Sequence, residues 1–350
     1  MDKIKIVIYN NFNIGDTYFA QPFARNIVEN NKDTFDFYFL CKFNTSAYSD
    51  TIPGIKNVLD YPELLNDFKI YNKDCNIEFY GPVCPHNYMI HNYIPNKKIL
   101  FINTWIGNFI KDINKSPHIL ELFKDNNFEE MNVTSYIKYY QNTLNDIYNR
   151  YNIRINYNPN DKILLPTFPK LDNMIINKFI NFKKKFNKLV YLINYPGCSK
   201  QPLSFTSMTD FIPIIKKLIQ KNYTVLLPNK DPELLSYKLN NNIESMYFMT
   251  DEFNLNIDSS CRNLYYVTKF GNMCDITISF DTGRNYLYMN DEFVNEYKDN
   301  KNNNKKYHFG SWDKYYNNLL NNKLLAPANY VKFIKAMNYQ EIVNYVDTNL

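Results

Sequence analysis

Apolar residues recur along this chain in short runs, and segments with a period of three to four residues separate the runs. In the first half, the runs predict strands at residues 4–9, 35–40, 55–59, 77–80 and 99–103. Helical periodicity follows at 18–30 and returns at 134–151. Strands that alternate with helices are typical of a parallel, doubly wound sheet.

The second half repeats this pattern. Its apolar runs predict strands at residues 189–194, 224–228, 245–249 and 275–280. The helical segments between them are 207–221, a short helix from 232, and 259–272. The sequence therefore predicts an α/β protein of two doubly wound, Rossmann-like domains, which we expect to face each other across a cleft.

The expected domain limits follow from these elements. We expect an N-terminal domain over residues 1–155, a linker over 156–186 and a C-terminal domain over 187–335. The polar stretch 299–306 is interpreted as a solvated loop, because asparagine and lysine dominate it. A last helix within 336–350 is expected to pack back on the N-terminal domain.

Composition narrows the function classes. The chain has 350 residues, 45% of them hydrophobic and 21% charged, which is typical of a globular protein long enough for two domains. The net charge of +5 is not clustered, so we expect no nucleic-acid partner. No apolar run approaches the roughly 18 residues of a membrane span, and a soluble cytoplasmic protein is expected, with peripheral membrane contact left open.

Cysteine and histidine usage indicates no metal chemistry. The six cysteines include no Cys-x-x-Cys pair, and the four histidines lack metal-ligand spacing. We expect neither a metal nor a cofactor.

The first candidate site is the turn after the first strand, with Asn13, Gly15 and Asp16. Gly15 permits a sharp turn. Asp16 then begins a helix at the carboxyl end of a strand, where open α/β sheets bind ligands. Asp16 could equally be only a helix cap.

A second turn of this kind, Asp281, Thr282 and Gly283, follows the strand at 275–280. Its backbone N–H groups and hydroxyl could bind a diphosphate at a helix start. Asp281 could instead only cap the helix that follows.

Two further residues are candidates for nucleotide contact. Lys200, in the turn 196–202, could contact phosphate, or be an ordinary exposed lysine. Glu233 follows the strand at 224–228 and could accept hydrogen bonds from ribose hydroxyls. It could instead be an acidic residue favoured by the helix dipole.

These segments together resemble the heptosyltransferase-like family of bacterial glycosyltransferases, related to ADP-heptose:LPS heptosyltransferases, which have the GT-B fold. The similarity lies in the order of NIGDTYFAQP, NYPGCSKQP, LLPNKDPELL and a final Asp-Thr-Gly turn, and it spans about residues 4–290.

The resemblance implies roles for the candidate residues. The N-terminal domain would hold the acceptor, a glycan, lipid-linked or protein group, beside the turn of Asn13 and Gly15, with Asp16 as general base. The C-terminal domain would bind a nucleotide-sugar donor. Transfer would invert the anomeric centre and need no metal. The implied donor-binding residues are Lys200, Glu233, Asp281, Thr282 and Gly283.

One position departs from the family pattern. Tyr286 stands three residues after Gly283, where the family usually has histidine. This favours a first alternative, a non-catalytic glycan- or nucleotide-binding protein of the same fold. A second alternative is a nucleotide-sugar epimerase, which can share a two-domain fold of this kind.

Overall fold

The computed structural model describes the following parts of the chain: residues 2–10, 14–41, 52–66, 69–70, 79–80, 91–104, 133–158, 170–195, 207–255, 261–280, 288, 291–299, 301–310 and 331–350. In some elements, including residues 14–19 and 133–139, the backbone alone is described. The described residues divide into two compact units, one up to residue 158 and the other from residue 170. This division falls inside the segment 156–186 that we predicted as linker.

The first unit is built on a sheet with five described strands in the order β3-β2-β1-β7-β6. The first four of these are parallel, and β6 runs antiparallel to β7. A separate antiparallel pair is formed by β4 and β5. The strands are β1 (Ile4–Asn10), β2 (Phe35–Cys41), β3 (Ile55–Asn57), β4 (Lys69–Ile70), β5 (Phe79–Tyr80), β6 (His91–Ile94) and β7 (Ile99–Asn103).

The described residues of this unit include two helices, α1 (Ile14–Asn31) and α2 (Val133–Tyr151). They pack against each other through Phe23 and Tyr140, whose stacked rings have centroids 4.0 Å apart. One face of the sheet is apolar and includes Val7, Tyr9, Leu40 and Phe101 among its buried side chains. Short 3-10 turns at Val58–Asp60 and Pro62–Leu65 contribute Val58 and Leu64 to that apolar cluster.

The second unit is a sheet of six described strands, all parallel, in the order β10-β9-β8-β11-β12-β13. This is the strand order 3-2-1-4-5-6 of a Rossmann-type sheet. The predicted α/β class with two parallel-sheet units is confirmed. The strands are β8 (Leu189–Leu192), β9 (Thr224–Leu227), β10 (Met246–Phe248), β11 (Ile276–Phe280), β12 (Lys305–Gly310) and β13 (Val331–Lys335).

The helices of this unit cover both faces of its sheet. They are α3 (Asn173–Lys183), α4 (Ile212–Gln220), α5 (Pro232–Asn240), α6 (Met249–Phe253), α7 (Cys261–Met273), α8 (Asp291–Lys298) and α9 (Tyr339–Asn349). Val190, Ile278 and Leu218 of α4 share one apolar core. Tyr191 and Thr277, which alternate with those strand residues, contact α7 at Gly271. Because successive strand residues point to opposite faces, α4 and α7 lie on opposite sides of the sheet.

The expectation for the C-terminal helix was wrong. Helix α9 packs on the second unit, where Ile342, Val343 and Val346 join the apolar core beside α4. The Lys217 ammonium of α4 also lies 3.3 Å from the carboxylate of Asp347. Helix α9 therefore lies on the same face of the sheet as α4, with its apolar residues turned toward that face.

The interpretation of 299–306 as a solvated loop was wrong for residues 304–306. β12 begins at Lys305, and Asn304 and Lys306 are buried, with 2% and 4% of their surfaces exposed. The Asn304 amide donates to the carbonyl of Cys274 at 2.7 Å and contacts Thr277 Oγ1 at 3.0 Å. Polar residues fill this part of the interior because neighbouring polar groups satisfy them. The strands β12 and β13 extend the four strands that we predicted for this half.

Candidate functional site

The second unit has a topological switch point between β8 and β11. From β8 the chain continues to β9 on one side, while β11 lies on the other side. Ligands of open parallel sheets bind at the carboxyl ends of the strands that flank such a point. The turns that follow these two strands, 196–206 and 281–287, lie outside the described residues. The predicted residues in those turns are Lys200, Asp281, Thr282, Gly283 and Tyr286.

A pair of hydrogen bonds fixes the loop after β9 to the end of β8. The Asn194 side chain, fully buried two residues beyond β8, donates from Nδ2 to the carbonyl of Asn229 at 2.8 Å. Its Oδ1 accepts from the Asn229 N–H at 3.1 Å. The carboxamide therefore satisfies both backbone groups of one loop residue beside the switch point.

Glu233 lies just beyond that loop, in the first turn of α5. The Asp231 carboxylate caps this helix by accepting from the Glu233 N–H at 2.8 Å. The exposed Glu233 carboxylate accepts a hydrogen bond from Ser207 Oγ at 2.7 Å. The carboxylate is thus held at the carboxyl edge of the sheet. It also keeps acceptor capacity, since a carboxylate has about four lone-pair sites.

A buried polar pair lies near the carboxyl ends of β11 and β12. Ser279 and His308 are paired across the two strands, and Ser279 Oγ lies 2.8 Å from His308 Nδ1. Both residues are at least nine-tenths buried, and the His308 ring packs on Phe333 at 5.2 Å. Ser279 lies two residues before Asp281 in the chain.

The same face of the sheet holds a buried lysine farther from this edge. Lys306 Nζ donates to Asn272 Oδ1 and lies 4.2 Å from the ring centroid of Phe293. Burial lowers the pKa of Lys306 from 10.5 to about 7. Tyr191 and Tyr288 bond through their hydroxyls at 2.7 Å on this face. This buried polar layer lies beneath the sheet rather than at its ligand-binding edge.

The first unit has an equivalent switch point between β1 and β7. Helix α1 starts at Ile14, four residues after β1 ends, so Gly15 and Asp16 lie in its first turn. Asn13 and the side chain of Asp16 lie outside the described residues. Asp16 is the third helical residue and not the residue before the helix. An acidic group there interacts favourably with the helix dipole.

Hydrogen bonds also join the ends of β1 and β7. The fully buried Asn10 donates from Nδ2 to Thr104 Oγ1 at 3.2 Å. Thr104 Oγ1 and the Thr104 N–H both approach the Tyr9 carbonyl, at 3.1 and 2.9 Å. These bonds fix the strand ends on either side of the point where the turn before α1 begins.

A histidine that the sequence analysis assigned to no site lies on the neighbouring strand. His91 pairs with Ile102, near the carboxyl end of β7. Its Nε2 lies 2.7 Å from Asp146 Oδ2, and Asp146 Oδ1 accepts from Arg150 Nε at 2.9 Å. Asp146 comes from α2, so the pairing joins strand β6 to that helix.

Sequence reasoning missed the residues that fix these edges. The partners Asn194 and Asn229 are 35 residues apart, and Ser279 and His308 are 29 apart. A single asparagine or histidine gives no periodic signal for a contact over such a separation. The signal that the sequence offered for these sites was the position at which each predicted strand ends.

Among the described residues, no group of three or more His, Cys, Asp or Glu side chains could hold a metal ion. Within the same residues, no helix has the length and apolar character needed to cross a membrane.

Comparison with known proteins gave matches among solved structures. No protein-family model matches the sequence, and no curated protein matches it. E. coli ADP-heptose LPS heptosyltransferase II is similar with a TM-score of 0.48 and 11% identity, over 98% of this chain and 97% of that one. E. coli heptosyltransferase WaaC with ADP-2-deoxy-2-fluoro heptose gives 0.43 and 8%, over 99% and 100%. The glycosyl transferase family 9 structure from Veillonella parvula gives 0.41 and 10%, over 100% and 90%.

Proposed function

We propose that the chain is a glycosyltransferase that moves a sugar from a nucleotide-sugar donor to an acceptor hydroxyl. The observation that carries the proposal is the placement of Glu233, an exposed carboxylate at the carboxyl edge of a Rossmann-type sheet. Ser207 and the loop of Asn229 hold it beside the switch point. A fixed carboxylate there can accept hydrogen bonds from the two hydroxyls of a ribose.

The remaining donor contacts rest on the sequence resemblance. Lys200 would contribute a positive charge, and Thr282 and Gly283 would contribute backbone N–H groups, beside the diphosphate. Asp281 would belong to the same turn. Negative charge develops on the departing nucleoside diphosphate as the glycosidic bond breaks. N–H groups and a cation placed at that charge would lower the barrier.

In this proposal Asp16 is the general base of the reaction. It would take the proton of the acceptor hydroxyl as the oxygen attacks the anomeric carbon of the donor. The bond to the nucleoside diphosphate breaks on the opposite side, so the product has the inverted configuration. No step requires a metal ion, because the protein supplies the groups that stabilise the leaving diphosphate.

An NMR time course tests this proposal. The protein is incubated with UDP-, GDP- and ADP-sugars, each with a mixture of simple glycosides as acceptors, in EDTA and then in magnesium. We expect release of the nucleotide, a new glycosidic bond with inverted configuration, no loss of activity in EDTA, and at least a hundredfold slower transfer in Asp16→Asn.

Other outcomes separate the alternatives. Conversion of one nucleotide-sugar into another without an acceptor would identify an epimerase. Nucleotide binding without any turnover would identify a non-catalytic binding protein. Full transfer activity in Asp16→Asn would show that Asp16 is not the base.

A further inference from the structure

The hydroxyl of Ser207 uses its full hydrogen-bonding capacity. Ser207 is the N-cap residue of a short 3-10 turn, Met208–Phe211, which leads into α4. Its Oγ accepts from the Thr209 N–H at 3.2 Å and from the Thr209 hydroxyl at 2.9 Å, and it donates to Glu233 Oε2 at 2.7 Å. A hydroxyl has one proton and two acceptor sites. The Ser207 proton is therefore directed at the carboxylate, and a chain of bonds runs from the Thr209 hydroxyl to Glu233.

Neither helix start needs the bond between Ser207 and Glu233. The 3-10 turn is capped by Ser207 Oγ, and the Asp210 carboxylate accepts from the Ser207 N–H at 3.1 Å. Helix α5 has its own cap, because Asp231 accepts from the Glu233 N–H at 2.8 Å. A hydrogen bond between exposed side chains can be exchanged for bonds to water at little cost in stability. The main effect of this bond is therefore on the direction of the Glu233 carboxylate.

The charges around Glu233 indicate what kind of ligand group it would bind. Lys230, three residues earlier, is paired with Asp251 at 2.6 Å, and the Glu233 carboxylate is held by the neutral Ser207 hydroxyl. A carboxylate only accepts hydrogen bonds, so a ligand group at Glu233 must donate them. The hydroxyls of a ribose can donate, whereas the negative charge of a phosphate would be repelled by the carboxylate.

We propose that Ser207 and Thr209 are positioning residues for the nucleotide, whose hydroxyls orient the Glu233 carboxylate toward the ribose. This inference rests on the proposed function and adds the residues that set a preference for ribonucleotides over deoxyribonucleotides. A carboxylate that turns freely loses conformational entropy when a ligand fixes it, and a carboxylate that is already held loses less. The chain of hydroxyls therefore strengthens the contacts made by the ribose hydroxyls and leaves the other contacts of the nucleotide unchanged.

Calorimetric titration of the full chain tests this role, with UDP, GDP and ADP and with the 2′,3′-dideoxy counterpart of each. Ser207→Ala removes the donor, Ser207→Thr keeps it, and Thr209→Val removes the first hydroxyl of the chain at nearly constant side-chain volume. Asn57→Ala is the matched control, because Asn57 caps a 3-10 turn of the first unit by accepting from the Leu59 N–H at 3.1 Å.

We expect wild type to bind one ribonucleoside diphosphate at least tenfold more tightly than its dideoxy counterpart. Ser207→Ala should reduce this preference about fivefold and leave the affinity for the dideoxy nucleotide within about twofold of wild type. Thr209→Val should reduce the preference about twofold, because Ser207 can still donate. Ser207→Thr should restore the preference, and Asn57→Ala should keep it. A loss of local structure alone would lower the affinity for both nucleotides equally, so the ratio of the two affinities separates the two roles.

Several results would overturn the inference. These are equal binding of both nucleotides by wild type, no binding of any diphosphate, an unchanged preference in Ser207→Ala, or a preference that Ser207→Thr fails to restore. The proposed function is judged separately, by turnover of nucleotide-sugars. A preference that depends on Ser207 without any turnover would support the positioning role and contradict the transferase. Turnover with a preference that is independent of Ser207 would support the transferase and contradict the positioning role.

Discussion

The carboxamide of Asn194 bonds both backbone groups of Asn229, with distances of 2.8 and 3.1 Å. Asn194 follows β8, and Asn229 follows β9, so the contact joins the carboxyl ends of two adjacent parallel strands. Glu233, the candidate ribose contact, lies in the first turn of the helix after that loop. The position of the candidate carboxylate therefore depends on an asparagine that is itself fully buried.

We predict that Asn194→Leu destabilises the protein and weakens nucleotide binding. The substitution leaves the N–H and carbonyl of Asn229 without their partner, which costs about 1–3 kcal/mol of unfolding free energy. Asn241→Leu is the control, because the exposed Asn241 amide lies at the end of α5 and donates to the Tyr237 carbonyl of the same helix. Urea unfolding and calorimetric titration with nucleotide measure the two effects. Unchanged nucleotide affinity in Asn194→Leu would show that nucleotide binding does not depend on the contact between Asn194 and Asn229.

Gly271→Ala should destabilise the second unit, although alanine normally stabilises a helix by about 1 kcal/mol relative to glycine. A Cβ at this position would lie 2.6 Å from ring atoms of both Tyr191 and Tyr288. Those rings are buried and bonded to each other, so they have little room to move. Thermal unfolding measures the change, and a Tm equal to or above that of wild type would contradict the packing described for α7.

Lys306 should make stability depend on pH. Burial lowers its pKa in the folded protein from 10.5 to about 7, so the folded state holds the neutral amine while the unfolded chain keeps its proton. Where the unfolded chain binds more protons, stability rises with pH. The rise should begin near pH 7 and continue toward 10.5, at about 1 kcal/mol per pH unit for a single proton.

Urea unfolding of wild type and Lys306→Met between pH 7 and 8.5 measures this slope. The upper limit avoids the buried Tyr191 and Cys274, whose pKa values are raised by burial and which act in the opposite direction at higher pH. We expect the slope of wild type to exceed that of the variant. Parallel pH profiles would show that Lys306 is charged in the folded protein.

Ile342→Ala in α9 should cost about 2–4 kcal/mol of unfolding free energy, the usual effect of truncating a fully buried isoleucine. Gln340→Ala, on the exposed side of the same helix, is the control and should change stability by less than about 0.5 kcal/mol. Urea unfolding, followed by far-ultraviolet circular dichroism, measures the stability of both variants. Equal stability of the two variants would mean that α9 does not contribute to the core of the second unit.

The strands with long apolar runs could be predicted from the sequence. Runs such as those of β1, β7 and β11 are buried on both faces, and both faces of such strands must be apolar. β12 could not be found in this way, because its segment KKYHFG starts with two lysines. Lys306 is tolerated inside only because Asn272 and two aromatic rings surround its amine.

The candidate site was predictable only as positions in the chain. Strand ends followed by glycine, aspartate or glutamate indicated where ligands could bind, and Glu233 lies at such an edge. The sequence gives no sign that Asn194 fixes the loop before Glu233. This property arises from segments that are distant in the chain and meet only in the folded protein.

The most direct test of the account is the affinity of the full chain for nucleoside diphosphates, measured by calorimetric titration without metal. Wild type, Glu233→Gln and Glu244→Gln are compared, since Glu244 is an exposed acid before β10, at the opposite edge of the same sheet. We predict that wild type binds one diphosphate selectively, that Glu233→Gln binds it about tenfold more weakly, and that Glu244→Gln is unchanged. Equal affinity in Glu233→Gln and wild type, or no binding of any diphosphate by wild type, would contradict donor binding at this edge.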